Sequence, residues 1–340
     1  MINRLLGGLG RTLIFSGVVL LLFVGYQLWG TGLDEQSHQE DLTRSLGHSL
    51  GLDKTASSAD EDAAAIDEEI TAKLAAIDPA QAPPAEVPKE GEPEGKIEIP
   101  KIGLRSKTFV EGVAKADLRK GPGHYSGTPL PGNPGNAAIA GHRTTYGAPF
   151  NRIDELVPGD QIIAYTLQGR FVYEVMESPA DRRAGAKGDN WGDGWFAVRP
   201  NDVSVLAPTD DNRLTLTACH PKYSAKLRII VQAKLVAEPA EAPTTTAPAA
   251  ASTDGSQTVT PPAPVTQSED DLIAGDPGEL TPSLLFGAMV IILWLGSMGI
   301  AALLRRRNLR WWPVYVVTVL ASAAPLWFCF VHMDRFLPSY

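Results

Sequence analysis

The central part of the sequence contains one cysteine and three histidines, the side chains best suited to nucleophilic and acid–base chemistry. Cys219 ends the run TLTAC, His142 ends the run NAAIAGH, and the other two histidines are His124 and His220. A cysteine attacks as its thiolate, and because an ordinary thiol has a pKa of about 8.5, a nearby base or positive charge has to increase the thiolate fraction. This set of residues indicates covalent catalysis by Cys219 with a histidine as acid or base.

Strand geometry favours His142 over His220 as the partner of Cys219. Adjacent residues of an extended strand point to opposite faces, so His220 should face away from the cysteine that precedes it. His220 is therefore predicted to lie on the outward-facing surface. His124 is predicted to be a loop residue with a structural hydrogen bond, because it lies among the glycines of GPGHYSG.

A positive charge for this site is offered by Arg228, nine residues after Cys219. The runs 213–218 and 227–236 alternate apolar and polar residues, which predicts two strands that each turn one face to the core. If they pair as antiparallel neighbours, Cys219 and Arg228 share a face. A guanidinium there would stay charged at any physiological pH.

Each of these residues by itself also has a purely structural interpretation. Cys219 alone would be a buried free thiol, His142 a strand-end histidine, and Arg228 a solvated strand residue or an ion-pair member. Zinc is another partner for a cysteine among histidines, but one cysteine and dispersed histidines lack the C-x₂₋₄-C or HExxH spacing of such sites. We therefore expect neither a metal nor a cofactor.

Short β-rich runs separated by glycine and proline carry these residues. They alternate over the 143 residues from Gly95 to Ala237, which is the size of one domain. Eight strand candidates with little helix predict an all-β domain, either a closed barrel or a sandwich. The predicted strands are 96–102, 108–113, 136–141, 161–166, 171–178, 203–206, 213–218 and 227–236.

Four segments of this domain resemble the sortase transpeptidases. NAAIAGHRTTYGAPFNRIDEL and TLTACHPKYSAKLRIIVQAKLV are similar to the two active-site blocks of that family, and IEIPKIGL and GPGHYSGTPLPGNPGN are similar to sortase sequence elsewhere. The resemblance runs from about Ile97 to Leu235. The motifs GHRTTYG and CHPKYSAKLR are most similar to those of the class E and class F sortases of high-GC Gram-positive bacteria.

The resemblance implies a sortase-like eight-stranded β-barrel and a set of site residues. Cys219 would be the nucleophile that attacks a carbonyl, His142 the group that protonates the leaving amine, and Arg228 the support for the developing oxyanion. Substrate binding is assigned to three residues that lie beside the cysteine or the histidine in the two blocks: Thr217, Ala218 and Tyr146.

The resemblance also implies a reaction. A sortase cleaves an LPxTG-like or LAxTG-like sorting signal after its threonine, holds the acyl group as a thioester and transfers it to an amine of a peptidoglycan precursor or of a pilin lysine. The implied partners are sorting-signal-bearing surface proteins or pilins, together with that amine acceptor. Two other functions stay open: a cysteine peptidase with water as acceptor, and a noncatalytic membrane-anchored adhesion module.

Three segments without charged residues flank the domain, and each exceeds the roughly 20 apolar residues that a helix needs to cross a bilayer. A cleaved signal peptide is the alternative for the first, but no small-x-small cleavage site precedes Asp34. Arginines precede the first segment, and four of the six residues in the loop 305–310 are arginines. The positive-inside rule therefore puts the N-terminus and this loop in the cytoplasm. We therefore predict a multi-pass cell-membrane protein with an extracellular catalytic domain.

Charge and composition divide the chain further. Lys and Arg number 30 against 39 Asp and Glu, a net charge of −9, which disfavours a nucleic-acid partner. Sixteen acids and five bases lie between Thr31 and Lys96, so the acidity belongs to one segment.

The predicted order is a cytoplasmic N-terminus over 1–11, a membrane helix over 12–33, an acidic helical or disordered tether over 34–95, the catalytic β-barrel over 96–237, a Pro/Thr/Ala-rich tether over 238–280, a membrane helix over 281–304, a cytoplasmic arginine-rich loop over 305–310 and a membrane helix over 311–333.

Overall fold

The computed structural model describes residues 2–52, 61–84, 86–181, 190–237, 240 and 276–337. These residues belong to two compact units, one formed by Met1–Gln27 with Ile273–Ser339 and the other mainly by Leu28–Leu272. Nearly all of the predicted tether over 238–280 lies outside the described residues. The second unit contains the β-rich domain.

The β-rich domain is a closed eight-stranded barrel, which confirms the predicted architecture. The described strands are β1 Pro93–Ile99, β2 Leu104–Glu111, β3 Gly123–His124, β4 Asn136–Ala140, β5 Gln161–Thr166, β6 Gly169–Val175, β7 Phe196–Val198, β8 Arg213–His220 and β9 Leu227–Leu235. Their order around the ring is β6-β5-β1-β2-β3-β4-β8-β9, and the pairing of β6 with β9 closes it. β7 pairs with β9 outside the ring.

Alternating apolar residues of the strands fill the barrel. Leu214, Leu216 and Ala218 of β8 are buried in its core together with Ile229 and Val231 of β9. The alternation predicted for these two strands is therefore confirmed. It fixes their register, because a slip of one residue would turn buried side chains worth roughly 1.5–3 kcal/mol each toward solvent.

Four elements differ from the predicted strands, and the first is Pro100–Ile102, a 3₁₀-helix at the end of the predicted strand 96–102. Val203–Leu206 forms a 3₁₀-helix, because the side chain of Asp202 accepts a hydrogen bond from the backbone N–H of Ser204 and starts a turn. β3 and β7 are absent from the prediction, since two and three residues are too few to show a period of two. The all-β class holds for the barrel alone, because helices lie before and after it in the chain.

The described helices include five that are longer than two turns. The helices are α1 Ile2–Gly25, α2 Thr31–Ser49, α3 Glu61–Ala75, α4 Lys115–Leu118, α5 Leu280–Arg306 and α6 Trp312–Phe336, and a π-helical turn Tyr26–Gly30 follows α1 directly. Three helical stretches are long and apolar enough to cross a membrane, namely Leu13–Ser49, Pro277–Arg306 and Trp312–Phe336. The three predicted apolar helices are thus confirmed.

Helices α2 and α3 lie largely in the segment 34–95, for which an acidic helical or disordered tether was predicted. Leu46 of α2 and Ile70 and Leu74 of α3 form a buried cluster with Ile163 and Tyr165 of β5. The few large apolar residues of each helix fall on one face, and that face has an apolar partner on the barrel. The two helices are therefore packed on the barrel.

A buried ion pair also fixes α3. The ammonium group of Lys96 on β1 is fully buried and is paired with the carboxylate of Asp67 on α3. A buried charge without such a partner would be costly, so Asp67 links the position of α3 to that of β1.

The first unit is held together by aromatic and polar contacts. The rings of Phe15 in α1 and Trp294 in α5 stack with centroids 4.8 Å apart. The side-chain amide of Gln27 donates a hydrogen bond to Asp334 Oδ1 at the end of α6, at 2.7 Å. Polar pairs of this kind satisfy groups that would otherwise face apolar surroundings.

Candidate active site

Three neighbouring strands bring Cys219, Arg228 and His142 to the same end of the barrel. β8 lies between β4 and β9, and in the antiparallel register of β8 with β9 Cys219 is directly opposite Arg228. Opposite residues of such a pair point to the same face. The predicted pairing, with Cys219 and Arg228 on one face, is therefore confirmed.

His142 enters this row from the other side of β8. β4 runs parallel to β8 with Ala140 opposite Thr217, and the N–H of Gly141 donates to the carbonyl of Thr217 at 3.0 Å. His142 follows the end of β4 by two residues and Cys219 lies two residues beyond Thr217 in β8, so both residues lie at the same end of these neighbouring strands. An imidazole, a thiol and a guanidinium thus form a row at this end of three neighbouring strands, with the imidazole just beyond the end of β4.

The thiol of Cys219 is partly exposed, and its surroundings favour the protonated form. Burial raises the pKa of Cys219, while the positive charges of Arg228 and Arg143 oppose that rise without cancelling it. A thiol in this state has to lose a proton before it can attack a carbonyl, because the thiolate is the nucleophile. The chemistry of the row therefore requires a proton acceptor close to Cys219.

Backbone carbonyls hold the guanidinium of Arg228. Its Nη1 donates to the carbonyl of Ala225 at 3.1 Å and to that of Leu227 at 3.3 Å. The side chain is only partly buried. Fixing one nitrogen leaves the other N–H groups of the planar fork available to an oxyanion beside Cys219.

Arg143 is a site residue that the sequence analysis missed. It is almost completely buried, and its Nη2 forms an ion pair with Asp154 Oδ2 at 2.8 Å. Its Nη1 donates to His220 Nδ1 at 2.9 Å and to the carbonyl of Cys219 at 3.4 Å. The one available signal was its place directly after His142, since a charged residue at a buried strand end needs a nearby partner.

The structure corrects the prediction for His220. This residue was expected on the outward-facing surface, but it is buried, with Nδ1 accepting from Arg143 and its ring centroid 5.4 Å from that of Trp195. Adjacent strand residues do point to opposite faces, but His220 follows Leu214, Leu216 and Ala218 on the core face of β8, and Trp195 packs against that core. His220 therefore supports the strand end that carries Cys219.

Comparison with known proteins shows the family to which this chain belongs. The model of the Sortase domain family matches residues 97–236. Sortase D of Bacillus subtilis is 32% identical over 153 residues, which cover 44% of this chain and 67% of that protein. The chain belongs to the sortase family. The predicted resemblance is thus confirmed.

Other sortases share longer or shorter parts of the chain. Sortase SrtE1 of Streptomyces coelicolor is 29% identical over 245 residues, which cover 68% of this chain but only 57% of that relative's own length. Its name agrees with the predicted similarity to class E. Among solved structures, the SrtF sortase from Corynebacterium diphtheriae is 33% identical with a TM-score of 0.40, and covers 46% of this chain and 91% of that chain.

The residues assigned to substrate binding in this sortase occupy different environments. Ala218 points into the barrel core, so only its backbone could contact a substrate. Thr217 lies on the opposite face, is buried, and its hydroxyl is 3.0 Å from that of Tyr125. Tyr146 is also buried, and its ring centroid lies 5.1 Å from that of His142. Their role in binding stays a prediction.

We expect Asp154→Asn to destabilise this sortase by about 3 kcal/mol, because the buried guanidinium of Arg143 would lose its charged partner. Urea denaturation followed by circular dichroism measures this change. The control is Glu155→Gln, which breaks an exposed ion pair with Arg152 and should cost less than about 1 kcal/mol. Equal losses for the two variants would contradict a structural role for the Arg143–Asp154 pair.

A second buried polar cluster lies between β1, β2 and β3. His124 Nδ1 is 2.7 Å from Glu111 Oε2 and 3.1 Å from Glu94 Oε2, and Nε2 is 3.0 Å from the carbonyl of Pro129. His124 therefore makes structural hydrogen bonds as predicted, although it lies in a strand and not in a loop. Burial alone would lower its pKa, but the charge of Glu94 and the hydrogen bond with Glu111 raise it to about 10.

The same three side chains are the group of described residues whose ligand atoms lie close enough to hold a metal ion, within 4.8 Å of one another. In this sortase the proton on His124 already supplies a positive charge between the carboxylates of Glu94 and Glu111. Burial raises the pKa of Glu94 and would also raise that of Glu111, but the hydrogen bond and the charge of His124 lower the pKa of Glu111. An imidazolium paired with one carboxylate therefore accounts for the charge of the cluster.

Stability should fall as the pH rises through the alkaline range, because His124 is protonated in the fold up to a pKa of about 10 and in the unfolded chain only up to about 6.5. The stabilisation is complete below about pH 6.5 and is lost toward pH 10. We expect the wild-type melting temperature to drop by about 5 °C or more over this window. Differential scanning calorimetry in buffers of matched ionic strength measures it.

His124→Gln should have a lower melting temperature at pH 6.5 and a flatter dependence on pH. His38→Gln is the control, because His38 of α2 and Asp34, with which it pairs at 3.9 Å, are only partly buried, with side chains 41% and 38% exposed. It should keep the wild-type dependence. A His124→Gln variant with the wild-type slope would contradict the assignment.

Proposed function

We propose that this protein is a membrane-anchored cysteine transpeptidase that cleaves LPxTG-like or LAxTG-like sorting signals and transfers the protein to an amine. The observation that carries the proposal is that β4, β8 and β9 are neighbours, which brings His142, just after β4, to the end of the barrel where Cys219 lies opposite Arg228. A proton carrier, a thiol and a fixed cation are the three groups that acyl transfer through a thioester requires.

In the first half-reaction, the thiol of Cys219 gives its proton to His142, and the resulting thiolate attacks the carbonyl carbon of the threonine in the signal. The new C–S bond produces a tetrahedral oxyanion, which accepts hydrogen bonds from Arg228. When the oxyanion collapses, the C–N bond to the following glycine breaks and His142 donates a proton to the leaving amine. The product is a thioester between the threonine carbonyl and Cys219.

In the second half-reaction, an amine of the acceptor attacks the thioester. His142, now neutral, takes the proton from the attacking nitrogen, and collapse of the second oxyanion breaks the C–S bond. An amide links the substrate protein to the acceptor, and the sulfur of Cys219 is released. Atoms and protons balance without a cofactor.

Membrane anchoring fits these partners. Helices α1, α5 and α6 lie in stretches that are long and apolar enough to cross a bilayer. We propose that the N-terminus and the arginine-rich loop over 305–310 face the cytoplasm and that the barrel lies outside the cell. Surface proteins or pilins and a lipid-linked peptidoglycan precursor would then reach the site on one membrane face, where their effective concentration is high.

The test incubates the full chain in detergent micelles with LPxTG and LAxTG peptides, with and without added amines such as triglycine or a lysine peptide. We expect a mass adduct on Cys219 equal to the acyl part of the peptide, and a new amide product that increases with amine concentration. Release of the free acid alone, unchanged by added amine, would indicate a cysteine peptidase. No adduct with any peptide would favour a noncatalytic adhesion module.

A further inference from the structure

The turn that follows His142 has an unusual backbone. Tyr146, Gly147 and Ala148 have φ values of 49°, 69° and 43°, so three consecutive residues lie in the left-handed region. Only glycine adopts this region without a cost, and each of the other two residues costs of the order of 1 kcal/mol or more. Such a conformation persists only where the surroundings hold it.

Helix α2 supplies those surroundings. The hydroxyl oxygen of Thr31 accepts a hydrogen bond from the backbone N–H of Tyr146 at 3.2 Å. The carboxylate of Glu35, one helical turn later, lies against Gly147, where a Cβ atom would be 2.5 Å from Glu35 Oε2. Thr31, Glu35 and Tyr146 are all buried. The first turn and a half of α2 therefore encloses the left-handed turn.

The helix is itself fixed to the barrel. Glu35 Oε1 forms an ion pair with Lys107 Nζ on β2 at 2.6 Å. Gln39 Nε2 donates to the carbonyls of Thr108 and Lys120 at 2.8 and 2.7 Å, and Gln39 Oε1 accepts from the N–H of Thr108 at 2.9 Å. α2 can therefore transmit the fixed position of β2 to the turn.

The left-handed turn contacts His142. The ring centroid of Tyr146 lies 5.1 Å from that of His142, with the two planes tilted by 33°. We propose that Thr31 and Glu35 are positioning residues, which hold the left-handed turn so that the ring of Tyr146 sets the orientation of His142 beside Cys219. This inference rests on the proposed role of His142 in acyl transfer. It makes α2 part of the machinery of the site rather than a spacer.

The test compares Thr31→Val, which keeps the shape of the side chain and removes the acceptor, with two reference variants. Thr31→Ser restores the hydroxyl. Thr43→Val is the matched control, because Thr43 lies on the same helix and its hydroxyl is 3.3 Å from that of Thr108, away from the turn. All variants are prepared as the full chain in detergent micelles.

Two measurements are made on each variant. In Thr31→Val we expect amide hydrogen exchange of the peptide that contains Tyr146–Ala148 to be about tenfold faster than in the wild type. We expect kcat for acyl transfer to fall about tenfold with KM within twofold, and the alkaline limb of the pH profile of kcat to shift, because the imidazole is misoriented and the substrate groove is intact. Thr31→Ser and Thr43→Val should stay within twofold of wild type in both measurements.

The two readouts separate this inference from the proposed function. Wild-type protection of the turn in Thr31→Val, or an equal loss in Thr43→Val, overturns the positioning role whatever the activity is. Faster exchange with unchanged kcat overturns the link from the turn to His142. If the wild-type protein forms no acyl-enzyme, the proposed function is contradicted. The hydrogen-exchange data then still decide whether α2 holds the turn.

Discussion

Cys219→Ala is expected to abolish acyl-enzyme formation and to lower amide transfer by on the order of 10⁶-fold, as removal of a covalent nucleophile does. The physical reason is that the row of side chains contains one atom able to form the thioester, the sulfur of Cys219, which faces Arg228 across β8 and β9. Intact-protein mass spectrometry after incubation with an LPxTG or LAxTG peptide measures the adduct, and a fluorescence-quenched peptide measures turnover.

The fold of this variant should be preserved. Cys219 is partly exposed on the face opposite the core residue Ala218, so loss of the sulfur leaves no cavity in the core. Cys329→Ala is the control, since it removes the second free cysteine, which lies in α6. It should leave the adduct unchanged. Amide transfer by Cys219→Ala at a tenth of the wild-type rate or more would refute the thioester mechanism.

Arg228→Lys is expected to lower kcat by about 10²–10³-fold, the usual loss when one oxyanion donor is removed. Lysine keeps the positive charge but cannot bond the carbonyls of Ala225 and Leu227 and at the same time present a planar fork beside Cys219. Single-turnover acylation by the same peptides measures the effect. Arg170→Lys on the exposed part of β6 is the control and should keep the wild-type rate.

The pH dependence of Cys219 alkylation separates charge from geometry. Arg228 lowers the pKa of Cys219 against the larger effect of burial, so Arg228→Gln should move the midpoint of iodoacetamide alkylation to higher pH. Arg228→Lys should leave the midpoint near that of the wild type while acylation still falls. Near-normal acylation by Arg228→Lys would mean that charge alone matters and that the fixed fork has no role.

Alternation in two strands was enough to predict the pairing at the centre of the site. β8 and β9 each place apolar residues at every second position, and only a short connection over 220–226 joins them, so antiparallel pairing and a shared face for Cys219 and Arg228 follow from a period of two. The strand over 161–166 also has the predicted bounds. Long uncharged runs likewise predicted the three apolar helices.

Sequence patterns did not predict elements that are very short, or packing that depends on residues distant in the chain. β3 and β7 have too few residues to show alternation, and Val203–Leu206 is a turn set by Asp202. Helices α2 and α3 carry many acids and few large apolar residues, which by composition favours a solvated segment. Their packing depends on Ile163 and Tyr165 of β5, which the local sequence does not reveal.

The sequence by itself determined the barrel's strands around the site, the apolar helices and the identity of the three reactive groups, because period, hydropathy and residue type are local properties. Only the tertiary structure decided what surrounds those groups. Arg143 is buried against Asp154 and His220, and α2 packs against the turn at Tyr146. These contacts join residues that are not neighbours in the chain. A charged group or a hydroxyl is buried only where another part of the folded chain replaces its hydrogen bonds to water. The tertiary structure alone shows which residue that partner is.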